Sequence, residues 1–245
     1  MPRYRLTVEY EGTDLAGWQR QLTDPSVQQC LEDAVFRFTG QRVVVIGAGR
    51  TDAGVHATGQ VAHIDLDKSY PDHTIINATN FYLRPRAIAI IACHEVPSDF
   101  HARFSAIKRR YQYRILNRIP PPVLARNRVW HVIPPLDADL MQEGARHLTG
   151  RHDFTSFRAL HCQAKSPIKT LEELTVQRAG DEIVIETAAR SFLHNQVRTI
   201  VGTLKMVGER KWQPEDVNTA LVARARSAAG PTAPPEGLCL QSVEY

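Results

Sequence analysis

Two strand-patterned segments, Leu171–Arg178 and Glu182–Thr187, are separated by only Ala179, Gly180 and Asp181. So short a link suits a hairpin and cannot hold the crossover that parallel neighbours require. A second pair, Arg42–Ile46 and Gln60–Leu66, flanks a glycine-bearing loop. Between and around these pairs lie segments with helical periodicity. In Ser26–Phe38, Val27, Leu31, Ala34, Val35 and Phe38 fall on one face, Ser26 can cap the start and Gly40 can end it. Hairpin-like strand pairs mixed with helices in both halves predict an α+β fold with antiparallel sheets rather than a doubly wound parallel sheet.

The remaining pattern is consistent with this. Tyr4–Tyr10 alternates large and polar side chains, Ile88–Cys93 is a short apolar run, and Ala106–Asn117 alternates through Ile107, Arg109, Tyr111, Tyr113 and Ile115. A proline-rich break follows at 119–123. Helices are predicted near Asp137–Leu148 and from about Phe192 to Val207, and a last strand over Leu238–Tyr245. Gly230–Pro235 is a turn-rich connector.

Composition excludes several classes. Hydrophobic residues make up 43% of 245 residues, enough for a real core in one large or two small domains. Lys and Arg number 30 against 26 Asp and Glu, a net charge of +4, which permits a polyanionic partner without demanding one. Cys30, Cys93, Cys162 and Cys239 are far apart and form no C-x-x-C pair, which suits a reducing cytoplasm and argues against a disulfide framework. The N-terminal segment alternates instead of forming an apolar block, so it does not read as a signal peptide, and no 18-residue apolar run suggests a membrane span.

The loop GAGRTDAGVH, Gly47–His56, carries the first chemical candidate. A dinucleotide fingerprint fails because Asp52 stands where its third glycine belongs, and a carboxylate there repels pyrophosphate. Gly49 and Gly54 have the first spacing of a Walker loop, but Val55-His56 replaces its Lys-Ser/Thr. A strand-like segment follows, so no helix N-terminus is expected to hold an anion. What remains is either a decorated turn or the flexible setting of a reactive carboxylate. The stretch is longer than a turn needs, and Arg50 stands where its guanidinium can keep Asp52 ionised as a nucleophile or base.

A second cluster, FHARFSAIKRRYQYRI (Phe100–Ile115), sets Arg103, Lys108, Arg109, Arg110 and Arg114 among Phe104, Tyr111 and Tyr113. Cations interleaved with aromatics fit phosphate contacts plus stacking on an unpaired base; they also fit a strand with one charged and one buried face. By strand alternation Arg109, Tyr111, Tyr113 and Ile115 share one face, and Lys108, Arg110, Gln112 and Arg114 the other.

Taken together, GRTDAGVHA (49–57), FHARFSA with KRRYQYRI, and FLHNQVRTIVG (192–202) resemble the tRNA pseudouridine synthase A family. YEGTDLAGWQRQ (10–21), SVQQCLEDA (26–34), GRHDFTSF (150–157) and PPEGLCLQSVEY (234–245) extend the resemblance, in family order, over nearly the whole chain. Gln196 departs from the pattern, standing where many relatives have Met, and a packing change without loss of chemistry is expected. The resemblance implies a pseudouridine synthase fold: two α+β halves, 1–105 with the aspartate loop and 106–245, whose antiparallel sheets join across a central cleft. It implies an isomerase (an intramolecular transferase) converting uridine to pseudouridine at nucleotides 38, 39 and 40 of the tRNA anticodon stem-loop. Asp52 matches the catalytic aspartate, Arg50 the arginine beside it, Tyr111 the tyrosine that contacts the target base, Arg198 the site arginine, and Leu238 an apolar residue near the base pocket. A homodimer bridged by tRNA, with no metal or organic cofactor, is also implied.

Other residues suggest less. Ten histidines form no H-x-x-x-H or H-x-H pair; His152 and His161 with Cys162 are the nearest metal-like grouping. His194 reads as a cap or packing residue, and Val197, Ile200, Val201 and Leu204 make the helix carrying Arg198 a core element. Trp18 has two readings, stacking on RNA or, favoured, a buried anchor. The rival functions are a structured-RNA-binding protein without catalysis and a metal-dependent phosphotransferase or nuclease built on Asp52, Asp65 and Asp67.

Overall fold

The computed structural model describes residues 1–160 and 162–245. The chain divides into two compact units, Met1–Ile107 with Cys239–Tyr245, and Lys108–Leu238. The terminal segment Cys239–Tyr245, expected with the second half, therefore groups with the first. A strand needs a ladder to satisfy its backbone, and this one finds it there.

The first unit runs β1 (Arg3–Tyr10), α1 (Val27–Thr39), β2 (Ile46–Gly47), β3 (His56–Asp65), α2 (Asp72–Leu83) and β4 (Ile88–Val96). β1 lies between β4 and β3, antiparallel to both. The alternation read in β1 is real: Tyr4, Leu6, Val8 and Tyr10 are buried, and α1 adds Val27, Leu31, Ala34 and Val35 to the core. Ser26 caps α1 by accepting from the Gln29 amide, and Gly40 ends it in the left-handed region at φ 74°.

The predicted strand Arg42–Ile46 shrinks to Ile46–Gly47, because Glu32 and Gln28 of α1 bond the Val45 amide and carbonyl at 3.1 and 3.2 Å. With those groups satisfied by side chains, nothing drives Val45 into the ladder. By contrast β3 is longer than predicted and is mostly buried.

The second unit contains β5 (Lys108–Leu116), β6 (Trp130–His131), α3 (Ala138–Arg146), β7 (Gly150–Asp153), β8 (Ile168–Ala179), β9 (Glu182–Ala189), α4 (Gln196–Gly208) and α5 (Pro214–Ala223). β5, β9, β8 and β7 follow one another in an antiparallel sheet, with β8 and β9 forming the hairpin read from the sequence. α3 packs on β8 and against α4 and α5. α4 begins at Gln196 and not at Phe192, because Asn195 is left-handed at φ 63°. The last strand, β10 (Leu238–Glu244), aligns parallel to β3 through Cys239 opposite His56 and Leu240 opposite Ala57. Among the described residues no helix is long and apolar enough to cross a membrane.

Candidate active site

The aspartate loop of the first unit is held on both sides of Asp52. The Ala48 amide donates to the Val61 carbonyl at 2.7 Å, and buried Gln60 donates through Nε2 to the Gly49 carbonyl at 2.9 Å. The Thr51 carbonyl accepts from the Trp18 amide at 3.0 Å, and its hydroxyl lies 2.8 Å from the Tyr10 hydroxyl. After Asp52 the chain turns back: the Val55 amide donates to the Asp52 carbonyl at 3.2 Å, and Gly54 has φ 80°.

These bonds revise the expectation of a flexible setting. Glycine serves close approach here: a Cβ on Gly17 would lie 2.4 Å from the Thr51 carbonyl oxygen. The consequence is a half-buried Asp52 on a fixed backbone beside an exposed Arg50. Trp18 is a buried anchor, 3% exposed, packed against Gly47 and 6.4 Å from the Tyr10 ring. Asp65, one of three carboxylates in the metal-dependent rival, is bonded twice by Arg3 at 2.7 Å, which holds its carboxyl below the usual range.

In the second unit, β5 has the two faces predicted from its alternation. Arg109, Tyr111, Tyr113 and Ile115 are buried. Tyr111 meets Phe192 edge to face, with ring centroids 5.2 Å apart, so its phenol is fixed by the FLHN segment. Arg109, expected among the phosphate contacts, bonds the Arg190 carbonyl from this buried face. On the opposite face Lys108 meets Glu172 at 2.8 Å, Arg110 meets Glu173 at 2.5 Å, and Arg114 meets Glu182 at 2.7 Å. This basic face is thus interleaved with carboxylates from β8 and β9, a pairing that the isolated segment did not reveal.

Arg198 is half-buried in the first turn of α4. Its Nε donates to the Ala233 carbonyl at 2.8 Å and Nη1 to Asn195 Oδ1 at 3.3 Å, while its own carbonyl accepts from the Ala233 amide at 3.0 Å. The connector 230–235 is therefore a clamp on Arg198, a role invisible in its turn-rich composition. Leu238 is 6% exposed at the start of β10. Tyr113 fixes the preceding turn by donating to the Pro234 carbonyl at 2.8 Å. His194 is exposed.

No group of three His, Cys, Asp or Glu that could hold a metal occurs among the described residues. His161, named above with His152 and Cys162, lies outside the described residues. None of Cys30, Cys93, Cys162 and Cys239 is joined in a disulfide.

Comparison with known proteins decides the family. The tRNA pseudouridine synthase family matches this chain over residues 6–105 and 145–245. The chain belongs to the tRNA pseudouridine synthase family. It is 57% identical over its full length to the tRNA pseudouridine synthase A of Rhodospirillum rubrum, 88% of which is covered. It is 55% identical to that of Sinorhizobium fredii and 54% to that of Parvibaculum lavamentivorans, in both cases over the whole of each chain. This is an isomerase family with a mixed α+β fold. Asp52, Arg50 and Arg103 lie in the first matched span, and Arg198 and Leu238 in the second. Tyr111 lies between the two spans, within the alignment to each full-length relative.

Proposed function

We propose that this chain isomerises uridine to pseudouridine in tRNA, at nucleotides 38, 39 and 40 of the anticodon stem-loop, with Asp52 as the catalytic residue. Family membership and full-length relatives named tRNA pseudouridine synthase A support the activity. The observation that carries the residue assignment is the stitched backbone around Asp52, which fixes a half-buried carboxylate without enclosing it.

The reaction breaks the C1′–N1 bond of uridine, turns the uracil, and forms a C1′–C5 bond. The proton lost from C5 balances the one gained at N1. An ionised Asp52 adds to C6 of the uracil or acts at C1′, and both routes begin from the carboxylate form. Tyr111 stacks on the ring and helps remove the C5 proton. Arg198 and Arg50 favour the carboxylate, Arg50 also fills the position the flipped base leaves, and Leu238 lines the base pocket. Extracting the base costs a few kcal/mol, which phosphate contacts offset.

Those contacts are assigned to Arg103, which is exposed, and more weakly to Lys108, Arg110 and Arg114, which must exchange a glutamate for phosphate. Arg109, being buried, contributes by fixing the Arg190 carbonyl. The protein acts in the cytoplasm as a homodimer without metal or organic cofactor.

The test is Asp52→Asn on defined tRNA transcripts. Pseudouridine formation is lost while tRNA binding is retained; pseudouridine formed at the wild-type rate would sink the assignment. Wild-type activity that requires a divalent metal, or cleavage of the RNA, would favour the metal-dependent rival. Binding without any isomerisation would leave a structured-RNA-binding protein.

A further inference from the structure

Two cavities among the described residues of the second unit are of similar size and opposite character. The larger, about 430 Å³, is lined by Asp137, Asp139 and Glu209 together with Arg178 and Arg210, so its charges largely cancel. The other, about 340 Å³, is lined by Arg151, Lys169 and Arg190 with the hydroxyl residues Ser166, Thr170 and Ser191, and by no acid.

Strand register explains how these residues meet. Arg151 of β7 pairs directly with Thr170 of β8, and such partners share a face. Leu171 pairs with Ala189, so Arg190, one residue further, continues the row of Thr170. Two arginines therefore flank a threonine across one row. With strands about 4.8 Å apart, their Cα atoms are roughly 10 Å apart, close enough for two long arginine side chains to reach neighbouring phosphates of one RNA strand. Lys169 adds to the local charge, although strand alternation assigns it to the other face.

The charge state of this row differs from that of β5. Among the described residues, no hydrogen bond or ion pair engages the cationic groups of Arg151, Lys169 or Arg190. Arg151 and Arg190 are exposed, whereas Lys108, Arg110 and Arg114 face carboxylates at 2.5–2.8 Å. A phosphate reaching the first group displaces only water and counterions; at the second it must also displace a glutamate. The backbone under Arg190 is fixed because the Arg109 guanidinium bonds its carbonyl, and the chain continues directly into Phe192, which holds Tyr111.

We infer that Arg151 and Arg190, with the hydroxyls of Ser166, Thr170 and Ser191, form a site for the phosphodiester backbone of RNA. The inference rests on the tRNA reading above and assigns part of the docking surface to residues given no role by the sequence, Arg151 within the GRHDFTSF block and Arg190 outside every block. Guanidinium forks suit phosphate oxygens, and neighbouring hydroxyls supply the further donors that such sites use.

The test uses the full-length protein and an unmodified tRNA transcript, with binding measured over a range of salt concentrations. Arg151→Gln/Arg190→Gln is expected to weaken binding about tenfold at 0.1 M salt and to lower the slope of log K against log salt by about one to two units, near one per lost contact. Arg151→Lys/Arg190→Lys should recover most of the slope. Arg37→Gln/Lys68→Gln, which removes the same charge from exposed positions elsewhere, should leave it unchanged. An unaltered slope in the first variant, or an equal loss in the control pair, would overturn the site. Asp52→Asn with the wild-type slope separates this outcome from failure of the catalytic assignment. A wild-type protein that does not bind tRNA overturns both.

Discussion

The Tyr10 hydroxyl lies 2.8 Å from the hydroxyl of Thr51, the residue preceding Asp52, and both Tyr10 and Thr51 are buried. β1 thereby reaches the residue next to the carboxylate through one side-chain bond, while Trp18 holds the same residue by its backbone. Removing the phenol oxygen weakens the first restraint and leaves the second. Tyr10→Phe should cost about 1–2 kcal/mol of stability, from the bond lost at a buried hydroxyl. It should lower kcat about threefold to tenfold with KM for tRNA little changed, because the carboxylate is less well placed and the RNA surface is untouched. Thr51→Ser, which keeps the hydroxyl, should behave like wild type in the same steady-state assay.

Gly17 tests how closely the chain packs under the loop. It has φ +87°, and a Cβ there would sit 2.4 Å from the Thr51 carbonyl oxygen and 2.8 Å from the Asp52 carbonyl carbon. Gly40 also has positive φ, +74°, but a Cβ there meets nothing within 4 Å. Gly40→Ala should therefore cost only the left-handed penalty of about 1 kcal/mol. Gly17→Ala should cost about 3 kcal/mol or more, since steric overlap adds to that penalty, and should also depress activity. Denaturant midpoints of the two variants make the comparison; equal losses would contradict the packing described.

Much of this was legible because local rules and tertiary packing agree in particular places. Ser26 and Gly40 bound α1 by capping chemistry alone, and the period-two pattern from Arg109 to Ile115 correctly separates a buried from a charged face. Legibility fails where a distant partner decides. Val45 leaves the ladder because Gln28 and Glu32 satisfy its backbone, and neither bond shows in a strand pattern. α2 escaped notice because it buries only Ile75, Thr79 and Leu83 and has no side-chain cap. Glutamates of β8 and β9 set the state of the cations on β5, and register alone gathers Arg151, Thr170 and Arg190. The motif around Asp52 identified the loop, but not that Tyr10, Trp18 and Gln60 immobilise it.

Gln196, the departure from the family pattern, is fully buried at the first position of α4. Its Oε1 accepts from the Leu193 amide at 2.8 Å, which organises the turn before Arg198. Its Nε2 is buried with no hydrogen-bond partner. Gln196→Met removes the useful acceptor and the costly orphan together, two effects of about 1–3 kcal/mol and opposite sign. The expected net change in stability is under about 1 kcal/mol, with activity retained. Gln196→Ala loses the same acceptor and also opens a cavity, so it should be clearly less stable than the Met variant. Thermal unfolding of the pair decides this; a Met variant as unstable as the Ala variant would show that the acceptor bond dominates.

Acid sensitivity should trace to His63. Its ring is 2% exposed, and its Nδ1 accepts from the Ala102 amide at 3.2 Å, which requires the neutral ring. Burial lowers its pKa from 6.5 to about 4, reinforced by Arg3 and His101 and opposed by Asp65. Between those values the unfolded chain binds a proton that the folded chain refuses, so stability falls as pH drops from about 6.5 toward 4. The loss from this group is at most about 3 kcal/mol. Asp65 acts lower: Arg3 depresses its pKa below 3.8, so the stability it contributes is lost only as pH falls below that value. His63→Asn, whose Oδ1 can accept in place of Nδ1, should flatten the decline between pH 6.5 and 4.5 and leave the later acid transition in place. Denaturant unfolding of both proteins across that range tests the attribution; an unchanged slope in the variant would place the acid sensitivity in another group.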